Sequence, residues 1–326
     1  MALLTKNKWT GLGLEMGCKQ MRMVCIESDQ TTAWLTGFGE VPIPDEAMEN
    51  GRICRPEPIT ASLLKLYGSM DTKCTNVVMS LPDTAVFVRE LVLPHMKIQD
   101  LFRAARFHAL SVLPLALEEM VVQVSSIRPL DEEMVELTIV ATRQDEVREW
   151  AQIATMAGMK PIVEIRPLAV ARAMQMEGDP QIILDLGEKT TGISYFDRGQ
   201  LRYMRSIPKG WYSSSGELTR DWDDLAISET VGNYPFARWL GDEIDRSFEF
   251  WGRNRIIPLE VRQIHVTGRN EMVNDIDEPW PNRFPPLQRA HPWKAIEPPA
   301  DLRQEDRSRL EYDFVAAIGL AMRKVK

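Results

Sequence analysis

The chain has 326 residues, 44% of them hydrophobic and 26% charged, an ordinary balance for a globular protein long enough to hold two or three domains. Its net charge is −8, and no Lys/Arg run forms the basic stripe that a general nucleic-acid binder needs to neutralise phosphates. No apolar stretch reaches the length of a membrane span. The segment Met1–Gly17 has no signal-peptide pattern, and Cys18, Cys25, Cys54 and Cys74 have neither metal-site spacing nor a disulfide framework. The expected setting is a reducing cytoplasm, without direct membrane insertion.

Periodicity predicts the following elements. Gly11–Val24 reads as a strand, a tight turn at Gly17 and a second strand, and Ala33–Val41 as a third strand. Pro42, Pro44, Pro56 and Pro58 punctuate a loop before a helix over Ile59–Tyr67, and Asn76–Ser80 is a short buried strand. From Thr84 the pattern predicts a strand over Ala85–Leu93, a helix over Ile98–Leu110, strands over Val121–Ile127 and Met134–Ala141, and a helix over Glu146–Met156 capped at Gly158. Thr142 with Asp145 and Glu146 reads as that helix's start. Pro161–Ile165 is a return strand and Leu168–Met176 a connecting helix.

A second strand–turn–strand unit follows. Gln181–Leu186 is apolar, Gly187 turns the chain, and Gly192–Asp197 continues as strand into a hairpin at Arg198-Gly199 and a strand over Gln200–Ile207. A long helical region covers Glu229–Trp251, and Arg262–Thr267 is a strand ending on Gly268. The proline-rich stretch Pro279–Pro299 is expected to be largely irregular, and Leu310–Arg323 to be a terminal helix. Gly13–Val24 and Leu184–Phe196 therefore repeat one supersecondary unit, which suggests two related lobes.

Each repeat places a carboxylate two residues before a glycine, Glu15 before Gly17 and Asp185 before Gly187. A glycine turn lets consecutive N–H groups form an anion-binding concavity. A carboxylate at the strand end can hold Mg²⁺ through its waters, and a hydroxyl such as Thr191 can donate to a phosphate oxygen. Two such turns facing one cleft would bracket a nucleoside triphosphate, whereas either turn alone reads as an ordinary β-hairpin. The acidic cluster Asp221, Asp223 and Asp224 reads as a solvated loop or helix start. Trp280 and Trp293 read as packing residues that could also face a partner.

The chain resembles the PilM family of type IV pilus assembly proteins, relatives of the division protein FtsA and of actin. The resemblance runs through Gly13–Arg22, Gly51-Arg52-Ile53, Ser80-Leu81-Pro82 with Arg89 and Leu93-Pro94, Phe107 to Glu119, Ala157–Pro161, Asp185–Thr191, Val266-Thr267-Gly268 and Ala317–Arg323. It implies an α/β, actin-like (ribonuclease H-like) two-lobed fold with an inserted α+β subdomain. The first lobe would span 1–83, with 157–178 and 310–326 packed on it, the insert 84–158 and the second lobe 179–309.

The resemblance also implies ATP with Mg²⁺ as ligand. The candidate contacts are Gly17, Cys18 and Lys19 in the first turn, Gly187, Thr190 and Thr191 in the second, and Gly268 in the adenosine motif, with Glu15 and Asp185 as metal carboxylates. The family pattern has Asp where this chain has Glu15, small hydroxyl residues where it has Cys18-Lys19-Gln20, and a second glycine where it has Arg269. The implied role is a cytoplasmic scaffold, peripheral to the inner membrane, that grips the N-terminal tail of a PilN-like inner-membrane protein and connects to pilus motor ATPases and the platform protein. Ser80-Leu81-Pro82 and Ala85–Leu93 are the expected groove walls. The competing reading is an actin-fold ATPase or small-molecule kinase, but no residue stands out as the base that would orient a nucleophile.

Overall fold

The structure is a computed structural model, and it describes residues 8–17, 19–29, 32–49, 52–113, 116–210, 234–252, 260–277 and 279–325. Its elements are β1 (Trp9–Met16), β2 (Gln20–Ser28), β3 (Ala33–Pro42), β4 (Met48–Glu49), β5 (Arg52–Ile53), α1 (Pro56–Gly68) and β6 (Asn76–Leu81). Then come β7 (Val86–Pro94), α2 (Ile98–Val112), β8 (Met120–Pro129), β9 (Met134–Arg143), α3 (Gln144–Met156), β10 (Lys160–Ile165) and α4 (Arg166–Ala173). The chain continues through β11 (Gln181–Leu186), β12 (Thr191–Asp197), β13 (Gln200–Ile207), α5 (Tyr234–Gly252), β14 (Gln263–Gly268), α6 (Asn270–Asp277), β15 (Leu287–Arg289), α7 (Gln304–Tyr312) and α8 (Val315–Ala321).

Contacts divide the chain into two compact units. One draws on residues up to Val86, on Thr142–Met176 and on the chain from His291 onward, and the other on Phe87–Ala141 and Glu177–Ala290. In the first unit a five-stranded sheet has the order β10-β6-β1-β2-β3. Strands β1, β2 and β3 are antiparallel, and β1, β6 and β10 are parallel. The second unit contains a sheet of order β13-β12-β11-β14-β15 with the same plan. Its β11, β12 and β13 are antiparallel, and β11, β14 and β15 parallel. The duplication read from the two strand–turn–strand units is thus a duplication of whole sheets.

One face of the first sheet buries Leu12, Leu14, Met21 and Met23 against Ile59 and Leu63 of α1 and Trp150 and Ile153 of α3. Helix α8 lies against β1 and α4 and is buried along its whole length. Its approach needs glycine at both contacts. A Cβ at Gly319 would overlap the Ala169 carbonyl of α4, and one at Gly13 would overlap the Ala317 carbonyl of α8. The C-terminal Ala-x-Gly-Leu-Ala pattern is therefore a packing signature.

The three-stranded sheet β7-β9-β8 carries α2, whose Leu101, Ala105 and Ala109 share one helical face and bury against Leu91, Leu93, Leu137 and Ile139. This strand–helix–strand–strand order matches the pattern expected from Thr84 onward.

Four expectations change. Helix α3 was assigned to the insert, but Trp150, Ile153 and Ala154 complete the core of the first unit. Its apolar stripe fits the face of the first sheet beside α1, so the insert's own core closes at Ala141. Residues 291–309 were assigned to the second lobe, but they belong to the first unit. There Glu297 exchanges backbone hydrogen bonds with Ala33 and Leu35 on the free edge of β3, at 2.8 and 3.0 Å. The proline-rich stretch is not wholly irregular, because Leu287–Arg289 forms β15 beside β14. The terminal helix is two, α7 and α8, separated at Asp313 and Phe314.

Candidate functional site

The two turns have the same backbone. Glu15 pairs with Arg22 and Met16 with Met21, and the Gly17 N–H donates to the Gln20 carbonyl at 2.9 Å. Asp185 pairs with Gly192 and Leu186 with Thr191, and the Gly187 N–H donates to the Thr190 carbonyl at 2.9 Å. The carboxylate-x-glycine spacing thus places Glu15 and Asp185 at equivalent strand ends.

The surroundings of the two carboxylates differ. Glu15 is only 2% exposed. Its Oε1 accepts from the guanidinium of Arg166, the first residue of α4, and lies 3.6 Å from Arg22 Nη1. Arg22 in turn donates from Nε to Glu40 Oε2 at 3.2 Å, and Arg309 Nη2 donates to Glu40 Oε1 at 2.5 Å. Arg166, Glu15, Arg22, Glu40 and Arg309 form a ladder of alternating charge. Glu15 Oε2 is closed to solvent and has no hydrogen-bond partner. A hydrated Mg²⁺ needs a carboxylate that faces water. Here one oxygen is engaged by two guanidinium groups and the other is shut away, so Glu15 does not fit the metal role expected of it.

Of the other first-turn residues, Gly17 forms the turn and the Lys19 side chain points to solvent, while the Lys19 carbonyl accepts from the Ile43 N–H at 2.7 Å. Cys18 lies outside the described residues, as do Asp221, Asp223 and Asp224.

In the second turn Thr191 is fully buried, and its Oγ1 donates to the Lys209 carbonyl at 2.8 Å. This hydroxyl is committed to the fold and does not face a phosphate, which corrects its expected role. Gly210 packs on the turn: a Cβ there would lie 2.5 Å from the Gly187 carbonyl oxygen and 2.6 Å from Lys189 N. Asp185 is half-buried, Thr190 half-buried and Lys189 exposed. The parallel pairing of β11 and β14 sets Gly268 opposite Leu186, bringing it beside the turn. Gly268 has φ 138°, a conformation open to glycine, and a Cβ would come within 2.6 Å of the Leu186 carbonyl oxygen. Arg269 bends back so that its guanidinium lies 2.9 Å from Glu188 in the turn. Gly187, Thr190 and Gly268 are therefore gathered as expected, with an ion pair that sequence reasoning did not predict.

A second charged cluster joins the three-stranded sheet to β13. Arg202, 1% exposed, donates to Glu90 at 2.5 Å and also pairs with Glu136. Arg128 bridges Glu136 at 2.8 Å and Asp197 at 3.3 Å, and the Tyr203 hydroxyl donates to Glu90. Each buried charge has an opposite partner, as burial requires. Alternation hints at none of this, because Arg202 lies in an otherwise apolar strand and its partners come from the insert.

Strand β7 is an edge strand of its sheet. Its Arg89 donates to the Val88 carbonyl at 2.8 Å, and burial pushes the guanidinium below its ordinary value. Near it, Val92 on β7 and Ile98, Phe102, Phe107 and Leu110 on α2 are exposed, Phe107 by 69%. Trp280 Nε1 donates to the Pro285 carbonyl at 3.0 Å, and Trp293 Nε1 donates to Glu311 at 2.5 Å, so both indoles are engaged within the fold. Among the described residues no helix is long and apolar enough to cross a membrane.

A family profile for "Type IV pilus assembly protein PilM" matches residues 13–325. The chain belongs to this family. Among solved structures it is similar to a chain of a "PilM-PilN type IV pilus biogenesis complex", with a TM-score of 0.80 at 20% identity over 96% of this chain and 97% of that one. It is also similar to the ethanolamine utilization protein EutJ from Carboxydothermus hydrogenoformans, with a TM-score of 0.54 at 12% identity over 96% of this chain and 89% of that one. No curated protein matches by sequence. The fold is actin-like, and the protein is an actin-like member of the type IV pilus assembly machinery.

Proposed function

We propose that this PilM-family chain is a scaffold that grips the N-terminal tail of a PilN-like inner-membrane protein in extended form. The observation that carries the reading is the likeness over 96% of the chain to a protein solved as part of a PilM–PilN complex. The edge position of β7 supports it, because an extended segment adds to a sheet edge through backbone hydrogen bonds while its side chains use neighbouring apolar surface. Val92 and the exposed residues of α2 offer such surface. Held this way, the protein sits in the cytoplasm at the inner membrane and links motor ATPases and platform protein to the envelope through its partner. ATP enters the proposal as a structural or regulatory ligand of the second turn, where Gly187, Lys189, Thr190, Gly268 and Arg269 would meet its phosphates. No turnover is required.

Calorimetric titration tests the reading with two ligands, a peptide of the partner's cytoplasmic N-terminus and ATP. The expected result is peptide binding without ATP turnover, with Val92→Asp weakening the peptide at least about tenfold, or 1.4 kcal/mol. Robust turnover with no peptide affinity would overturn it in favour of an actin-fold ATPase.

A further inference from the structure

A buried carboxylate needs a counter-charge. At the end of a strand next to a glycine turn, a hydrated divalent cation is one way to supply it. In this chain a side chain is already in place. We propose that Arg166 takes the part of the divalent cation at the first turn, as the fixed counter-ion of Glu15, so that this turn works without Mg²⁺.

Three features of the first unit carry the proposal. Glu15 is buried, and the oxygen that has partners is shared by Arg166 and Arg22. Arg166 is anchored by its position. It opens α4 ahead of Pro167, and α4 is held by the Ala169–Gly319 contact and by Arg172, which donates to Glu164 at 2.6 and 3.0 Å and to the Gly319 carbonyl at 2.7 Å. The charge of Arg22 is balanced by Glu40, and Glu40 is shared with Arg309, so the ladder is closed with side chains alone. A guanidinium does not lose its proton within the physiological range, so this counter-charge is permanent and independent of metal supply. The exchange also changes what the turn presents. A hydrated cation offers exchangeable waters, whereas Arg166 offers N–H donors of fixed direction.

The proposal stands apart from the peptide reading, since its test uses no peptide. Mn²⁺ is titrated, with detection by electron paramagnetic resonance, into the full-length protein and into Glu15→Gln, Arg166→Met and the double variant. The wild type and Glu15→Gln are expected to bind Mn²⁺ indistinguishably. Arg166→Met is expected to gain a site at least tenfold tighter than anything in the wild type, which the double variant lacks. A wild-type Mn²⁺ site weakened tenfold by Glu15→Gln would overturn the proposal, and so would a folded Arg166→Met that gains nothing. If Arg166→Met fails to fold, thermal melting of wild type and Glu15→Gln in excess Mg²⁺ or in EDTA decides. No Mg²⁺-dependent shift supports the proposal, and a rise in wild-type melting temperature that Glu15→Gln abolishes overturns it.

Discussion

The two five-stranded sheets follow one plan, yet their turns are satisfied by different chemistry. At the first turn the strand-end carboxylate is neutralised by a ladder of arginines, with Arg166, Arg22 and Arg309 alternating with Glu15 and Glu40. At the second turn the work passes to main chain and hydroxyl. Gly210 lies on the turn, Thr191 reaches the Lys209 carbonyl, and Arg269 pairs with Glu188. Strand order and hairpin register are set by backbone hydrogen bonds and alternation, which tolerate many side chains. The groups around the turn come from distant segments and can diverge without disturbing that register.

The largest expected effect lies in the second unit, at the charged cluster that joins the insert to β13. Arg202→Met strands Glu90 and Glu136 and should cost about 3–5 kcal/mol in urea denaturation. Adding Glu90→Gln and Glu136→Gln should recover much of that loss. A cost that persists in the triple variant would mean that the charges are not what joins the two sheets.

The two strand-end carboxylates test the comparison directly. Glu15→Ala removes charge-assisted hydrogen bonds to buried partners and should cost about 1.5–3 kcal/mol. Asp185→Ala, at a half-buried site, should cost less. Equal losses in parallel denaturation curves would show that the two turns are chemically alike after all. The smallest effect is at Thr191. Thr191→Val removes one hydrogen bond to the Lys209 carbonyl and should cost about 1 kcal/mol, with faster amide exchange at residues 187–190 than in the wild type. Unchanged exchange there would separate the hydroxyl from the order of the turn.

Much of the architecture was legible in local pattern. The strand–turn–strand repeats, the Arg198-Gly199 hairpin with φ 52° and 72°, and the amphipathic α2 each depend on neighbours within a few residues. Boundaries between units were less legible. Trp150 belongs to the first core and Glu297 to the edge of β3 because of surfaces presented by segments over a hundred residues away. The same holds for the helix start at α3. Thr142 is buried rather than capping, and Asp145 accepts from the Glu146 N–H at 3.0 Å while Arg143 holds its carboxyl down to about 2.

What the sequence by itself determined is the duplicated carboxylate-x-glycine hairpin and the family it belongs to, because turn geometry and alternation are short-range properties. Only the tertiary structure decided which residues the carboxylates meet. Glu15 finds Arg166, 151 positions away in the chain, and Gly268 and Arg269 reach the second turn only through the parallel pairing of β14 with β11. The physical reason is that a buried charge takes whichever opposite charge the packing brings within reach, and packing is a property of the whole fold.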